Sequence, residues 1–157
     1  AEHNTRNILP ILKWNRQNNI EVFRMSSCLL PWGSEYNIED LPDFKKIKQN
    51  LEEAGNYAKQ NNIRLSFHPG PFNILTSPKS RVVNSSVIDL EMHGKLMDLL
   101  GMPRSRWAKI NIHIGAAYGD KPSAIDRWCK NEPGLRPYFS HGHPASYRSG
   151  ASHKACS

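Results

Sequence analysis

The sequence predicts an α/β fold: about three parallel βα units forming part of an incomplete (β/α)8, or TIM-type, barrel. Three observations point there. Short apolar runs alternate with helical patterns, the signature of parallel strands joined by crossover helices. Each run then ends on polar, chemically useful residues: Ser26-Ser27, His68-Pro69-Gly70, and His113-Ile114-Gly115. Barrel enzymes build their sites at that carboxyl end of the strands. Finally, no G-x-G-x-x-G or P-loop follows any strand, which counts against a doubly wound nucleotide-binding sheet. A closed barrel takes about 250 residues, so a chain of 157 makes only part of one.

The elements are read in order. Thr5-Arg6-Asn7 starts a helical stretch with Ile8, Ile11, Leu12 and Asn15 on one face, ended by Asn18-Asn19. Glu21 to Ser27 alternates like a strand, and Pro31, Gly33 and Pro42 mark the loop after it. Asp43 to Gln60 is the second helix, with Ile47, Leu51, Ala54 and Ala58 at helical spacing. Ile63 to Phe67 is the next strand, stopped by His68-Pro69-Gly70. Ser85 to Leu100 reads as the third helix, closed by Gly101 and Pro103. Lys109 to Ile114 is the third strand. From Asn131 to Ser157 the only large aliphatic residue is Leu135, amid Gly, Pro and Ser. The expected division is therefore a barrel part over 1–130 and an unstructured or non-homologous tail over 131–157.

A hydrophobic fraction of 38% is enough for a buried core and excludes wholesale disorder. No apolar run reaches the length of a membrane span, and the first residues carry no signal-peptide pattern. Three scattered cysteines suggest a reducing compartment and neither a disulfide framework nor a Cys-based zinc site. The net charge of +7 permits a polyanionic partner.

His68 and His113 lead the candidate site residues. Each follows the apolar part of a strand and precedes a glycine by two residues. Parallel neighbours carry such imidazoles to one rim, where they ligate a metal or hydrogen-bond loop carbonyls. Glu35, in the loop after the first strand, offers a carboxylate to that rim or sits solvated. His93 belongs to the third helix and is expected to pack behind the sheet. Lys109 starts its strand at the remote end, where a structural role is expected. Asp120-Lys121 follows the third strand, on the functional side. His141, His143 and His153 resemble a metal tract in composition alone.

These segments resemble the UV damage endonucleases, the UvdE-type DNA repair nucleases. The resemblance runs through Asn7-Ile8-Leu9 to Trp14-Asn15 and Phe23-Arg24-Met25-Ser26-Ser27-Cys28-Leu29-Leu30-Pro31-Trp32. It continues through Ser66 to Phe72 with Ser77-Pro78, then Leu90-Glu91-Met92-His93, Lys109 to Gly115 and Tyr118 to Lys121. It implies the barrel shared with endonuclease IV and xylose isomerase. It also implies metal-assisted cutting of DNA on the 5′ side of UV photoproducts, with Mn²⁺ as the expected metal and Zn²⁺ or Mg²⁺ as alternatives.

On that resemblance His68 and His113 match strand-end metal ligands, and Glu35 stands where many members carry a histidine. Pro71-Phe72 replaces a Gln-Tyr pair that probes the lesion. Phe72 keeps a ring that can stack on a base, while Pro71 brings no side-chain donor. Phe72, Lys79, Arg81 and Lys121 are the expected DNA contacts, with Arg24 a lesser phosphate contact. The expected partner is UV-damaged double-stranded DNA, with no membrane and no protein partner implied. The compartment would be the nucleoid-associated cytoplasm of a bacterium, or the nucleus or mitochondrion of a eukaryote. The family's first strand and its later strands, with their remaining ligands, have no counterpart here. Two other readings stand beside this one: a metal-dependent sugar isomerase on the same barrel, and a DNA-binding fragment without catalysis.

Overall fold

The computed structural model describes residues 1–105, 107–112 and 120–128, together with the backbone of 146–147. Three strands, β1 (Val22–Met25), β2 (Arg64–Phe67) and β3 (Lys109–Ile112), lie side by side in sequence order. All pair in parallel. The helices are α1 (Glu2–Arg6), α2 (Ile8–Gln17), α3 (Phe44–Gln60), α4 (Ser80–Leu99) and α5 (121–128). Parallel neighbours need a crossover, and α3 and α4 supply the two between these strands. A sequential strand order is that of a barrel, whereas a doubly wound sheet reverses direction at a switch point.

The register carries the stagger that barrel closure requires. Val22 sits opposite Arg64, but Lys109 begins β3 opposite Ser66, two residues further along β2. Alternate residues divide the sheet into two faces. Phe23, Met25, Leu65, Phe67, Ile110 and Ile112 join the apolar cluster. Against them pack Ile47, Leu51, Ala54 and Ala58 of α3, all fully buried as the sequence spacing predicts. On β1 the other face is open, with Val22 and Arg24 both exposed.

Three helices end in one way. Asn19, Asn62 and Gly101 each adopt positive φ (57°, 55° and 62°). The next residue then bonds back five positions: Ile20 to Asn15, Ile63 to Ala58 and Met102 to Met97, at 2.8, 2.8 and 3.1 Å. These are Schellman turns, in which an Asn or Gly accepts the left-handed conformation and an apolar residue follows. They turn the chain sharply into the next segment, into β2 after α3 and toward β3 after α4.

The structure departs from the sequence expectations at several places. The first helical stretch begins at Glu2 and divides at Asn7 into α1 and α2. The loop after β1 contains two 3-10 turns, Gly33–Glu35 and Ile38–Asp40. Helix α4 starts at Ser80 rather than Ser85, through Val82-Val83-Asn84, residues of poor helix propensity. Tertiary contact offsets that weakness: the Ser86 hydroxyl donates to the Val82 carbonyl (2.8 Å) and accepts the Ile74 N–H (2.9 Å). Helix α5 was hidden by Pro122, which a first helical turn tolerates. Of the segment 131–157, read as lacking strand or helix period, the structure describes only Ser146–Tyr147. These form a short parallel strand, β4, beside β3. The other residues of that segment, His141, His143 and His153 among them, lie outside the described residues.

Helices α3 and α4 meet at Gly55, where an added Cβ would lie 1.8 Å from the Leu100 carbonyl oxygen. That atom is backbone, so no rotamer change relieves the clash. Gly55→Ala is expected to destabilise the chain by about 2 kcal/mol or more, read as a lower urea midpoint. An unchanged midpoint would mean that the two helices do not cross this closely.

Candidate functional site

The carboxyl ends of β1 and β2 release their loops on the same side of the sheet, as parallel pairing dictates. After β1, the Ser26 hydroxyl accepts the Cys28 N–H (3.1 Å) and turns the chain inward. Leu29 and Leu30 are buried, at 7% and 2% exposure, and anchor the loop. Tyr36 donates its hydroxyl proton to the Pro31 carbonyl (2.9 Å), and partial burial raises its phenol above the ordinary value. Glu35 ends the first 3-10 turn of this loop and is exposed.

After β2, His68 is half-buried. Its Nδ1 lies 3.0 Å from the carbonyl oxygen of Asn111 on β3. A carbonyl only accepts, so Nδ1 carries a proton, which in the neutral ring puts the lone pair on Nε2. That orientation, with one ring nitrogen tied to a backbone carbonyl, suits an imidazole that ligates a metal through the other. It also places the ring against β3 two residues before His113, which itself lies outside the described residues, as do Gly115 and Tyr118-Gly119. A Cβ on Gly70 would meet nothing within 4 Å, and Gly70 is not left-handed. Neither packing nor backbone conformation therefore demands glycine there, and open space remains two residues from the imidazole.

The rest of this loop is fastened to α4. Asn73 donates through Nδ2 to the Gly70 carbonyl (3.2 Å) and to the Asp89 carboxylate (2.7 Å). Leu75, Thr76 and Ser77 are buried. Between these anchors Phe72 stands 87% exposed. Lys79 immediately precedes α4 and Arg81 lies in its first turn, both exposed. Asn73 and Ser86, which hold the loop, were missed in the sequence, because nothing local distinguishes them from surface polar residues.

His93 is buried at 1% exposure, its ring edge-on to Phe67 with centroids 5.1 Å apart and its Nδ1 2.7 Å from the Asp89 carbonyl. It packs behind the sheet, as expected. Arg24 lies within β1, beneath the rim rather than on a loop. Among the described residues, no three His, Cys, Asp or Glu side chains gather as a metal cluster, and Glu35 is not brought into one with His68.

Asp120 takes a role that the sequence reading did not give it. Its carboxylate accepts the Ser123 N–H (2.7 Å) and hydroxyl (2.9 Å), capping α5. Lys121, the first residue of α5, is exposed. Arg127 ties the helix to the β2–α4 loop by donating to the Thr76 carbonyl (2.7 Å). A cleft lined by Lys59, Asn62, Gly101, Met102 and Trp107 opens at the opposite, amino end of the strands, away from these groups.

With this geometry in view, comparison with known proteins places the chain. The family model for UV-endonuclease UvdE matches residues 1–138. The chain belongs to the UvdE family. It is 37% identical over 130 residues to the UV DNA damage endonuclease of Clostridium perfringens, covering 83% of this chain and 31% of that protein. The crystal structure of SacUVDE aligns with a TM-score of 0.74 at 32% identity, over 85% of this chain and 44% of that one. A D-psicose 3-epimerase aligns with a TM-score of 0.56 at 15% identity, which speaks for the partial barrel alone. The chain thus spans about a third of the Clostridium UvdE relative's length. The UvdE match runs eight residues past position 130, where the aliphatic pattern stops.

Two measurements test the rim. Asn73→Ala removes the two side-chain bonds that Asn73 makes in the Phe72 loop and leaves the Ile74–Ser86 bond in place. Amide exchange over residues 70–75 is expected to speed up by the equivalent of about 1–3 kcal/mol, while the strands keep their protection. The second concerns Asp120, whose pKa is lowered by the Ser123 N–H first and then by the Ser123 hydroxyl, against an opposing effect of burial that exceeds the help from the charge of Arg127. A lowered folded pKa makes the cap fully effective above the ordinary aspartate range and loses it as pH falls through the depressed value. The Ser123 amide resonance should therefore titrate at a pH below that of an ordinary aspartate, and Asp120→Ala should abolish that titration and fray 121–128.

Proposed function

We propose that this chain forms the part of a UV damage endonuclease that holds a divalent metal and meets damaged DNA, in a reaction that cuts the phosphodiester 5′ to the photoproduct. The observation that carries the reading is His68: a strand-end imidazole whose Nδ1 is committed to the Asn111 carbonyl, beside the open space at Gly70, in a chain of the UvdE family. In the proposal His68 and His113 are metal ligands, and Glu35, on the rim loop after β1, is a third. The metal, Mn²⁺ before Zn²⁺ or Mg²⁺, would supply an activated water and polarise the phosphate when bound. Asn111 fixes which nitrogen His68 presents, and Phe72 offers a ring for a base. Lys79, Arg81 and Lys121 lie at the amino ends of α4 and α5, the ends that follow the carboxyl rim, where they would neutralise phosphates.

The partner in this reading is UV-damaged double-stranded DNA. The compartment is the one that holds it: bacterial nucleoid-associated cytoplasm, or a eukaryotic nucleus or mitochondrion. No described helix is long and apolar enough to cross a membrane. The sugar-isomerase alternative gains no support, because the epimerase likeness is one of fold.

Titration with Mn²⁺, beside incision of UV-irradiated supercoiled plasmid, tests the proposal. His68→Ala is expected to weaken Mn²⁺ binding at least about tenfold and to abolish any incision, with helical content unchanged. Because imidazole ligates only when neutral, protons compete with the metal and binding should weaken at acid pH. Mn²⁺ affinity that is unaffected by the substitution and by pH would remove His68 from the metal site.

A further inference from the structure

Among the described large hydrophobic residues, Phe72 and Trp32 are the most exposed, at 87% and 81%. Phe72 has a place in the proposed function and Trp32 has none. Its indole is presented at φ 58° and ψ 29°, the left-handed region that side-chain-bearing residues occupy at a cost. An exposed Trp at that conformation gives up backbone energy and hides little surface, so folding alone does not account for it.

The surrounding loop is anchored on both sides. Leu29 and Leu30 are buried on one side. On the other, Gly33 is buried so tightly that a Cβ there would approach the Met92 methyl carbon to 2.9 Å. The Gly33 N–H bonds the Leu30 carbonyl (3.1 Å), and the Glu35 N–H bonds the Trp32 carbonyl itself (2.9 Å). The chain is therefore clamped immediately before and after the indole, and the left-handed residue is the turn that lifts it outward. Because Met25 of β1 pairs with Phe67 of β2, the Trp32 and Phe72 loops leave adjacent strands on the same side. Exposed Lys79 and Arg81 follow the Phe72 loop.

We propose that Trp32 is a second aromatic contact on this rim, stacking on a base that is unstacked from damaged duplex DNA. The proposal rests on the DNA reading above and adds a residue to it. Stacking fits the observations because every base has a π-face, so an exposed indole needs no hydrogen-bonding partner to recognise one. The cationic side chains nearby would hold the phosphates of the same strand.

The test is binding of two otherwise identical duplexes, one intact and one with a UV photoproduct, each carrying 2-aminopurine opposite the lesion position. Trp32→Ala is expected to lose about fivefold to a hundredfold in affinity for the damaged duplex and less than twofold for the intact one. The wild-type chain should quench the 2-aminopurine of the damaged duplex and the variant should not. Trp32→Phe should retain most of both signals, and Trp32→Gly, free of the left-handed strain, should lose binding while its melting temperature stays at or above the wild-type value. Equal affinity of wild type and Trp32→Ala for damaged DNA, or an equal loss on both duplexes, would overturn the stacking role. A wild-type chain that binds neither duplex at low salt would instead overturn the DNA reading on which it rests. Loss of self-association in Trp32→Ala with damaged-DNA binding intact would assign the indole to a contact between copies.

Discussion

Parallel pairing of β1, β2 and β3 is the constraint from which the rest follows. Each strand must return to the same starting end before the next begins, so each interval needs a crossover element, and each loop after a strand leaves on one side. That is why Trp32, Glu35, His68 and Phe72, far apart in sequence, belong to a common rim. It is also why His68 reaches the Asn111 carbonyl: the stagger that sets Lys109 opposite Ser66 puts the end of β2 against the middle of β3.

The crossovers hold because two local devices agree with the long-range one. Schellman turns at Asn19, Asn62 and Gly101 stop α2, α3 and α4, and after the last two the apolar residue, Ile63 or Met102, turns back into the core. Gly55 then lets α3 approach the backbone at the end of α4, closing the layer behind the sheet. The buried face of the strands gives both helices a common surface to cover, and burial of that apolar area is the main favourable contribution.

The rim itself contrasts anchored loops with exposed tips. Asn73, Ser86 and Gly33 fix the backbone, while Phe72 and Trp32 project from it. A surface of this kind keeps apolar rings in water without letting them collapse onto the core.

The sequence by itself determined the alternation of strands and helices, the apolar faces of α3 and the strands, the Asn and Gly helix stops, and the strand-end position of His68. These are legible because they repeat at the spacing of a single element or rest on one residue's backbone preference. It also carried the motifs that resemble UvdE, which the family match bears out over residues 1–138. Only the tertiary structure decided where α4 begins, since Ser80 to Asn84 become helical through Ser86 and the neighbouring loop rather than through their own propensity. The same holds for α5, whose cap at Asp120 looked like a charged loop dipeptide, and for His68, whose tautomer is set by a carbonyl 43 residues away. Exposure of Trp32 was equally hidden. An aromatic residue in a sequence is as readily core as surface, and only the fold shows this one exposed at a left-handed turn beside the buried Gly33.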